Sequence, residues 1–288
     1  MNGETKKTGL VLEGGAMRGL FSAGVLDVFM ENDITFDGAV GISAGAVFGI
    51  NYKSRQIGRS IRYNLKYCKD PRYCSFKSLI RTGDMYGVDF CYRELPYELD
   101  IFDSKAFKKN PMKFYVGATD VNTGKCLFHL CSDGGVSDMT WMRASASMPL
   151  VSRIVETEGL QLLDGGIADS VPYRFMEKEG YNRNVIILTQ PAGYRKSKNK
   201  LLPLMKIVLR KYPALLRAMG KRQDMYNKQM RGIEKREKEG TSFVIRPPHD
   251  LGIGRTENDP VKLKEVYEIG RKEGLRVLSA VKEFLEKD

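Results

Sequence analysis

The sequence predicts a three-layer α/β/α sandwich with a largely parallel central sheet. Short apolar runs recur at 10–12, 39–42, 114–118, 127–130, 160–163, 185–189 and 243–245. Helical patterns separate many of them, the alternation expected when crossover helices cover both faces of a parallel sheet. The chain of 288 residues, 42% of them hydrophobic, is long enough for one sizeable α/β core. No internal repeat or low-complexity linker interrupts it, so one domain is expected over 1–288.

The first element reads as a strand, Leu10-Val11-Leu12, running into Glu13-Gly14-Gly15-Ala16-Met17-Arg18-Gly19. Helical spacing through Phe21, Val25, Val28 and Phe29 follows, ending near Glu31-Asn32-Asp33. Glycines in such a turn leave backbone N–H groups unobstructed, so they can point at a ligand or a developing oxyanion. Removing one donor of that kind typically costs about 3–4 kcal/mol of transition-state stabilisation.

The second strand leads into Gly41-Ile42-Ser43-Ala44-Gly45, and the small apolar run after Ser43 begins a helix. A serine on a tight strand-to-helix turn projects its hydroxyl away from the backbone. Flanking glycines remove the Cβ clashes that such a turn creates. The helix N-terminus favours negative charge at that oxygen. This is the geometry a serine nucleophile needs. A third strand, Gln161-Leu162-Leu163, ends at Asp164-Gly165-Gly166, and Asp169-Ser170-Val171-Pro172 supplies caps for the next helix. Taken alone, Asp164-Gly165 would read as a hairpin turn.

In this order the three pieces resemble the patatin-like phospholipase family, and the whole chain reads as one such domain. The family's oxyanion loop matches Glu13 to Gly19, with its basic residue at Arg18. Its nucleophile turn matches Gly41 to Gly45, and its Asp-Gly-Gly base motif matches Asp164-Gly165-Gly166. Ala144-Ser145-Ala146-Ser147-Met148-Pro149 resembles the small-residue stretch between serine and aspartate in that family. The resemblance implies a lipid acyl hydrolase in which Ser43 attacks, Asp164 takes its proton, and the amides of Gly14, Gly15 and Ala16 hold the oxyanion. It also implies that Ser43 and Asp164 meet in space. Two departures stand out. Ala16 occupies a position that is usually glycine, so its amide serves only if the loop keeps it at negative φ. Glu13 stands where an aspartate is usual.

The formal charge of +12 is concentrated. Residues 194–240 carry 15 Lys and Arg against 4 Asp and Glu, about +11 of the total. Leu201, Leu202, Leu204, Met205, Ile207, Val208 and Leu209 make the same segment apolar, and Pro203 and Pro213 are expected to break it into shorter helices. Such a basic amphipathic segment suits peripheral contact with anionic membrane, against the plainer reading of a solvated charged face. Sparse aromatic residues and the lack of a binding motif argue against nucleic acid. A long helix is expected over 259–287, with a stripe of Leu263, Val266, Tyr267, Gly270, Gly274, Val277, Leu278, Val281 and Leu285.

No run approaches the ~18 apolar residues that span a bilayer. The start, Met1 to Lys7, lacks the pattern of a secretory signal. Five scattered cysteines read as reduced thiols of a cytoplasmic protein, placed there freely or peripherally on the inner membrane face. No cofactor or metal is called for. Cys126, His129 and Cys131 suggest zinc, but Cys126 and His129 would face opposite sides of a strand.

Three rivals remain open. Ser43, Asp164 and His249 follow the chain order of an α/β-hydrolase triad, although His249 sits in a turn-like Pro247-Pro248-His249-Asp250. A second reading makes the Gly14–Gly19 turn a dinucleotide site with Asp33 or Asp37 on the ribose, but the second strand ends on Ser43 rather than on an acid. A membrane-bound regulatory protein with a vestigial site is the third. Met139, Trp141, Met142 and Met148 are candidates to line an acyl pocket, with plain core packing as the alternative.

Overall fold

A computed structural model describes residues 7–286. Residues 1–6, at the start read above as lacking a secretory signal, and Lys287, in the expected C-terminal helix, lie outside the described residues.

The strands are β1 (Lys7–Leu12), β2 (Gly38–Ile42), β3 (Lys113–Asp120), β4 (Cys126–Cys131), β5 (Val155–Thr157), β6 (Leu160–Asp164), β7 (Tyr181–Ile187) and β8 (Ser242–Ile245). The first helices are α1 (Gly19–Glu31), α2 (Ala44–Lys53), α3 (Arg59–Tyr67), α4 (Phe76–Thr82) and α5 (Ser104–Lys109). Those that follow are α6 (Val136–Ser145), α7 (Tyr173–Lys178), α8 (Leu202–Val208), α9 (Pro213–Lys238) and α10 (Pro260–Glu286). Every apolar run read as a strand is one. Only the short β5 was not foreseen.

The sheet runs β5-β6-β3-β2-β1-β7-β8, with β4 also on β3. From β3 to β8 all neighbours are parallel, whereas β4, β5 and β6 join antiparallel. Period-2 alternation sorts the side chains of β1 into two cores. Leu10 and Leu12 pack with Phe21, Val25 and Phe48, while Val11 packs with Tyr173, Met176 and Tyr226 on the opposite face. Helices α1, α2 and α10 cover the first face, and α7 and α9 the second. The three layers are as expected.

Pro203 and Pro213 divide the basic segment as expected, into the short α8 and a longer α9, and they do so by opening each helix. Each occupies a first-turn position, where the missing N–H costs nothing, and α9 is 26 residues long counting Pro213. The stripe on α10 faces α1, and the two backbones touch: a Cβ on Gly270 would lie 2.0 Å from the Phe21 carbonyl oxygen.

A buried carboxylate sits in this crossing. Asp27 of α1 accepts hydrogen bonds from the Tyr267 hydroxyl at 2.6 Å and the Gly58 amide at 3.0 Å, both through Oδ2. Burial pushes its pKa up to about 6. The folded state thus holds this proton more tightly than the unfolded chain, so the contribution of Asp27 to stability is fully present below about pH 4 and is lost as pH rises through about 6. An amide oxygen can accept the same two bonds. Asp27→Asn is expected to raise stability at pH 7 by up to about 3 kcal/mol. Denaturant melts at pH 7 and pH 4 check it: a variant less stable at pH 7 would refute the account.

Register places the chain's most reactive candidates. Ile42 of β2 pairs with Gly117 of β3, so Ser43 follows at the level of Ala118. Asp164, the last residue of β6, pairs with Ala118 itself. Because β4 occupies the other edge of β3 over these positions, β2 and β6 share one edge and meet end to end.

Candidate active site

Ser43 lies on the turn between β2 and α2 with φ 55 and ψ −123, a conformation that costs an L-residue roughly 1–3 kcal/mol. The glycines either side are required by close approach. A Cβ on Gly45 would lie 2.4 Å from the Leu12 carbonyl oxygen, and one on Gly41 2.5 Å from the Ala46 backbone. The turn is held from outside. Ser145, the last residue of α6, accepts the Ser43 amide at 2.8 Å and donates to the Gly117 carbonyl at 2.6 Å. Ser145 was noted in the sequence only as part of a small-residue stretch, and nothing in that stretch signals a buttress.

Asp164 is 2% exposed. Its Oδ1 accepts the Gly166 amide at 2.8 Å, and its backbone is fixed by the Ser147 carbonyl and the Thr119 hydroxyl, each at 2.8 Å. The Ser43 hydroxyl lies close enough to this carboxylate to help hold its pKa down. Burial pushes the Asp164 pKa up, against the opposing pull of the Arg222 charge, the nearby Ser43 hydroxyl and the Gly166 amide. Gly165 and Gly166 form the short turn that leads away from β6.

The glycine loop closes over the same point. Glu13 is buried and its Oε2 accepts the Thr189 amide at 2.7 Å, while the Thr189 hydroxyl donates to the Gly14 carbonyl at 3.1 Å. Desolvation raises the Glu13 pKa. So the loop is latched to the end of β7, and the amides of Gly14, Gly15 and Ala16 donate to no group among the described residues.

One expectation is corrected here. Ala16 lies at φ 50, not at negative φ. The chain leaves an extended Gly15 (φ −173) and must reverse at once into the 3-10 turn Ala16–Arg18, which takes a left-handed residue. Alanine tolerates this at a cost of roughly 1–2 kcal/mol. Its N–H stays unpartnered all the same.

A cavity of about 1030 Å³ opens beside Ser43. Met139, Met142 and Met148 line it, the first two from within the buried core, whereas Trp141 packs in that core and stacks on His129 with ring centroids 4.9 Å apart. Lys196, Arg222 and Arg255 line another part of the wall. Arg222 of α9 donates through Nε to the Gly166 carbonyl at 2.6 Å. Burial, then the charges of Arg222, Arg255 and Arg18, lower the Lys196 pKa to about 8 despite the attraction of Glu13. The side chain of Arg18 leaves its Nε buried without a partner. Lys196, Arg222 and Arg255 are remote in sequence from the three motifs; the charge excess of 194–240 was the advance sign of the first two, and nothing in the sequence marked Arg255.

Neither histidine lines the cavity. His249 is exposed and its ring contacts the carbonyl of its neighbour Asp250. His249→Ala is therefore expected to hydrolyse a short p-nitrophenyl ester within about twofold of the unaltered chain. Loss of turnover in a folded His249→Ala protein would restore the triad. The dinucleotide reading fares no better: Asp33 pairs with Arg55 at the surface, and Asp37 accepts the Thr8 amide and hydroxyl. His129, Cys131 and Asp138 do converge, without Cys126. Asp138 is already engaged, by His129 at 2.8 Å and by the amides of Ser132, Asp133 and Gly134, which makes it a turn brace.

A family model described as patatin-like phospholipase matches residues 10–176. A second, described as a domain of unknown function (DUF6363), matches residues 212–286, the stretch that contains α9, β8 and α10. The chain is 27% identical to the uncharacterized protein YjjU of Escherichia coli (strain K12), over 96% of this chain and 78% of that one. It is 26% identical to the lysophospholipase NTE1 of Coccidioides immitis (strain RS), over 96% of this chain and 18% of that much longer protein. Among solved structures, VipD from Legionella pneumophila aligns with a TM-score of 0.48 at 11% identity, over 96% of this chain and 67% of VipD.

Proposed function

The chain belongs to the patatin-like phospholipase family, and from that premise we propose that it is a serine-dependent lipid acyl hydrolase working through a Ser43–Asp164 dyad. One observation carries the proposal: a serine on a left-handed strand-to-helix turn stands beside a buried carboxylate, both at the level of Ala118 in the sheet. Asp164 takes the proton as the Ser43 oxygen bonds to the acyl carbon. The tetrahedral oxyanion falls to the free amides of Gly14, Gly15 and Ala16. Collapse breaks the ester C–O bond, and the leaving alcohol takes the proton back from Asp164. Water, deprotonated by Asp164, then attacks the acyl-enzyme, and fatty acid leaves as Ser43 is reprotonated.

An ordinary aspartate, with a pKa near 3.9, is a weak base for a hydroxyl. Burial of Asp164 moves it in the useful direction. Arg18 supports the loop, and the positive potential of Lys196, Arg222 and Arg255 favours negative charge in the pocket. The substrate class is a fatty acyl ester of a phospholipid, lysophospholipid or related lipid. Each buried acyl methylene can add about 0.8 kcal/mol in an apolar channel such as this one.

We read 1–288 as one working unit, since β8 pairs with β7 in the same sheet. No described helix is long and apolar enough to cross a membrane. The five free cysteines suit a reducing compartment. We place the protein in the cytoplasm, with its basic segment 194–240 against the anionic inner face of the membrane.

A fluorophosphonate probe tests the proposal. It should label the chain on Ser43 alone and leave Ser43→Ala unlabelled. Failure to label a folded chain would favour a regulatory protein with a vestigial site.

A further inference from the structure

The mouth of the cavity is ringed by apolar side chains that face water. On one side, α4 presents Phe76, 74% exposed, and one turn later Ile80, 88% exposed. On the other, Leu201, Leu204, Ile207 and Val208 share one face of α8, and Ile207 is 72% exposed. Phe76 and Leu201 also line the cavity, so the two exposed faces flank its opening.

Packing does not explain this. The opposite face of α8, with Leu202, Met205 and Leu209, already fills a core cluster with Val121, Leu163 and Leu215. A helix apolar all round, with half of it in water, is an unpartnered surface.

The charge around it identifies the partner. From Pro191 to Gln223 the chain holds 10 Lys and Arg and no Asp or Glu. Lys198, Lys200, Lys206, Arg210 and Lys211 are exposed and form no ion pair among the described residues. Lys77 and Arg81 place two more cations on α4, again without an acidic residue in that helix. Apolar side chains set among unpaired cations match an anionic lipid leaflet, with acyl chains below and phosphates at the level of the ammonium and guanidinium groups. A second copy of the chain would bring the same cations together and repel.

We infer that α4 and α8 form a two-sided docking face that seats the cavity mouth directly on an anionic bilayer, so that acyl chains enter from the leaflet. The inference rests on the lipid hydrolase reading for its purpose. The docking itself is independent of the chemistry.

The test separates the two. Binding is measured on full-length Ser43→Ala protein, by co-sedimentation with vesicles of phosphatidylglycerol and phosphatidylcholine and with vesicles of phosphatidylcholine alone. Binding is expected to be at least tenfold stronger to the anionic vesicles, and to weaken between 0.1 and 0.5 M salt. Ile80→Asp with Ile207→Asp, both exposed positions, should weaken binding at least tenfold. In the Ser43 background the same pair should leave hydrolysis of a soluble butyrate ester within twofold. Vesicle binding unaltered by the pair would overturn the inference. So would equal binding to neutral vesicles, or a dimer in ultracentrifugation that Ile207→Asp dissociates. Loss of soluble-ester hydrolysis in Ser43→Ala alone concerns only the chemistry.

Discussion

Ser43→Ala is expected to lower kcat/KM for a fatty acyl ester by about four orders of magnitude or more, equivalent to roughly 5 kcal/mol of transition-state stabilisation. Among the described residues, Ser43 is the one hydroxyl that acts on the carboxylate of Asp164. Ser145 is the nearest alternative hydroxyl in the hydrogen-bond chain, but it already donates to the Gly117 carbonyl at 2.6 Å and accepts the Ser43 amide. Folding should survive, because the turn is built from backbone and from Gly41 and Gly45 rather than from the hydroxyl. The left-handed φ of 55 is carried as well by alanine as by serine. The measurement is turnover of a p-nitrophenyl ester and of a lysophospholipid, with circular dichroism to verify the fold. A folded variant retaining a tenth of the turnover would remove Ser43 from the mechanism.

What made this site legible is its local character. Strands of small apolar residues ending on glycine turns leave a mark in the sequence at 10–19, 38–45 and 160–166, because each needs backbone approach that a Cβ would block. The parallel centre of the sheet followed from the same alternation. What escaped depends on contacts between distant segments. Ala16 looks like an ordinary residue until the reversal after Gly15 forces it to φ 50. Ser145 reaches Ser43 across 102 positions, and Arg222 reaches Gly166 across 56. A serine at a helix end and an arginine in a basic segment carry no local sign of such duties. β5 was missed because three residues, Val155–Thr157, are too few to show a period. Length alone could not predict that Pro213 opens a helix of 26 residues, since that helix is stabilised by Tyr226, Met230 and Ile233 packing under the sheet.

Asp164→Asn should separate function from stability. The amide keeps the shape of the carboxylate and can accept the Gly166 N–H through Oδ1, but it cannot take a proton from Ser43. By analogy with removal of an acidic partner from other serine hydrolases, kcat should fall about 10³–10⁴-fold. Stability should move the other way. The folded pKa of Asp164 stands above its ordinary value, and that direction already includes the attraction of Arg222. Below the unfolded value of 3.8 the group is protonated in both states and costs nothing. As pH rises through the raised folded pKa the unfolded chain gives up its proton first, so the native state loses stability and carries the full cost at neutral pH. A neutral isostere escapes that cost. Asp164→Asn should therefore melt at a higher temperature than the unaltered chain at pH 7, and the gap should close as pH approaches 4. In the active protein, the acid limb of kcat/KM should lie above the ordinary aspartate range, since only the ionised carboxylate accepts the proton. A variant that is both active and no more stable at pH 7 would show that Asp164 is neither the base nor a strained buried charge.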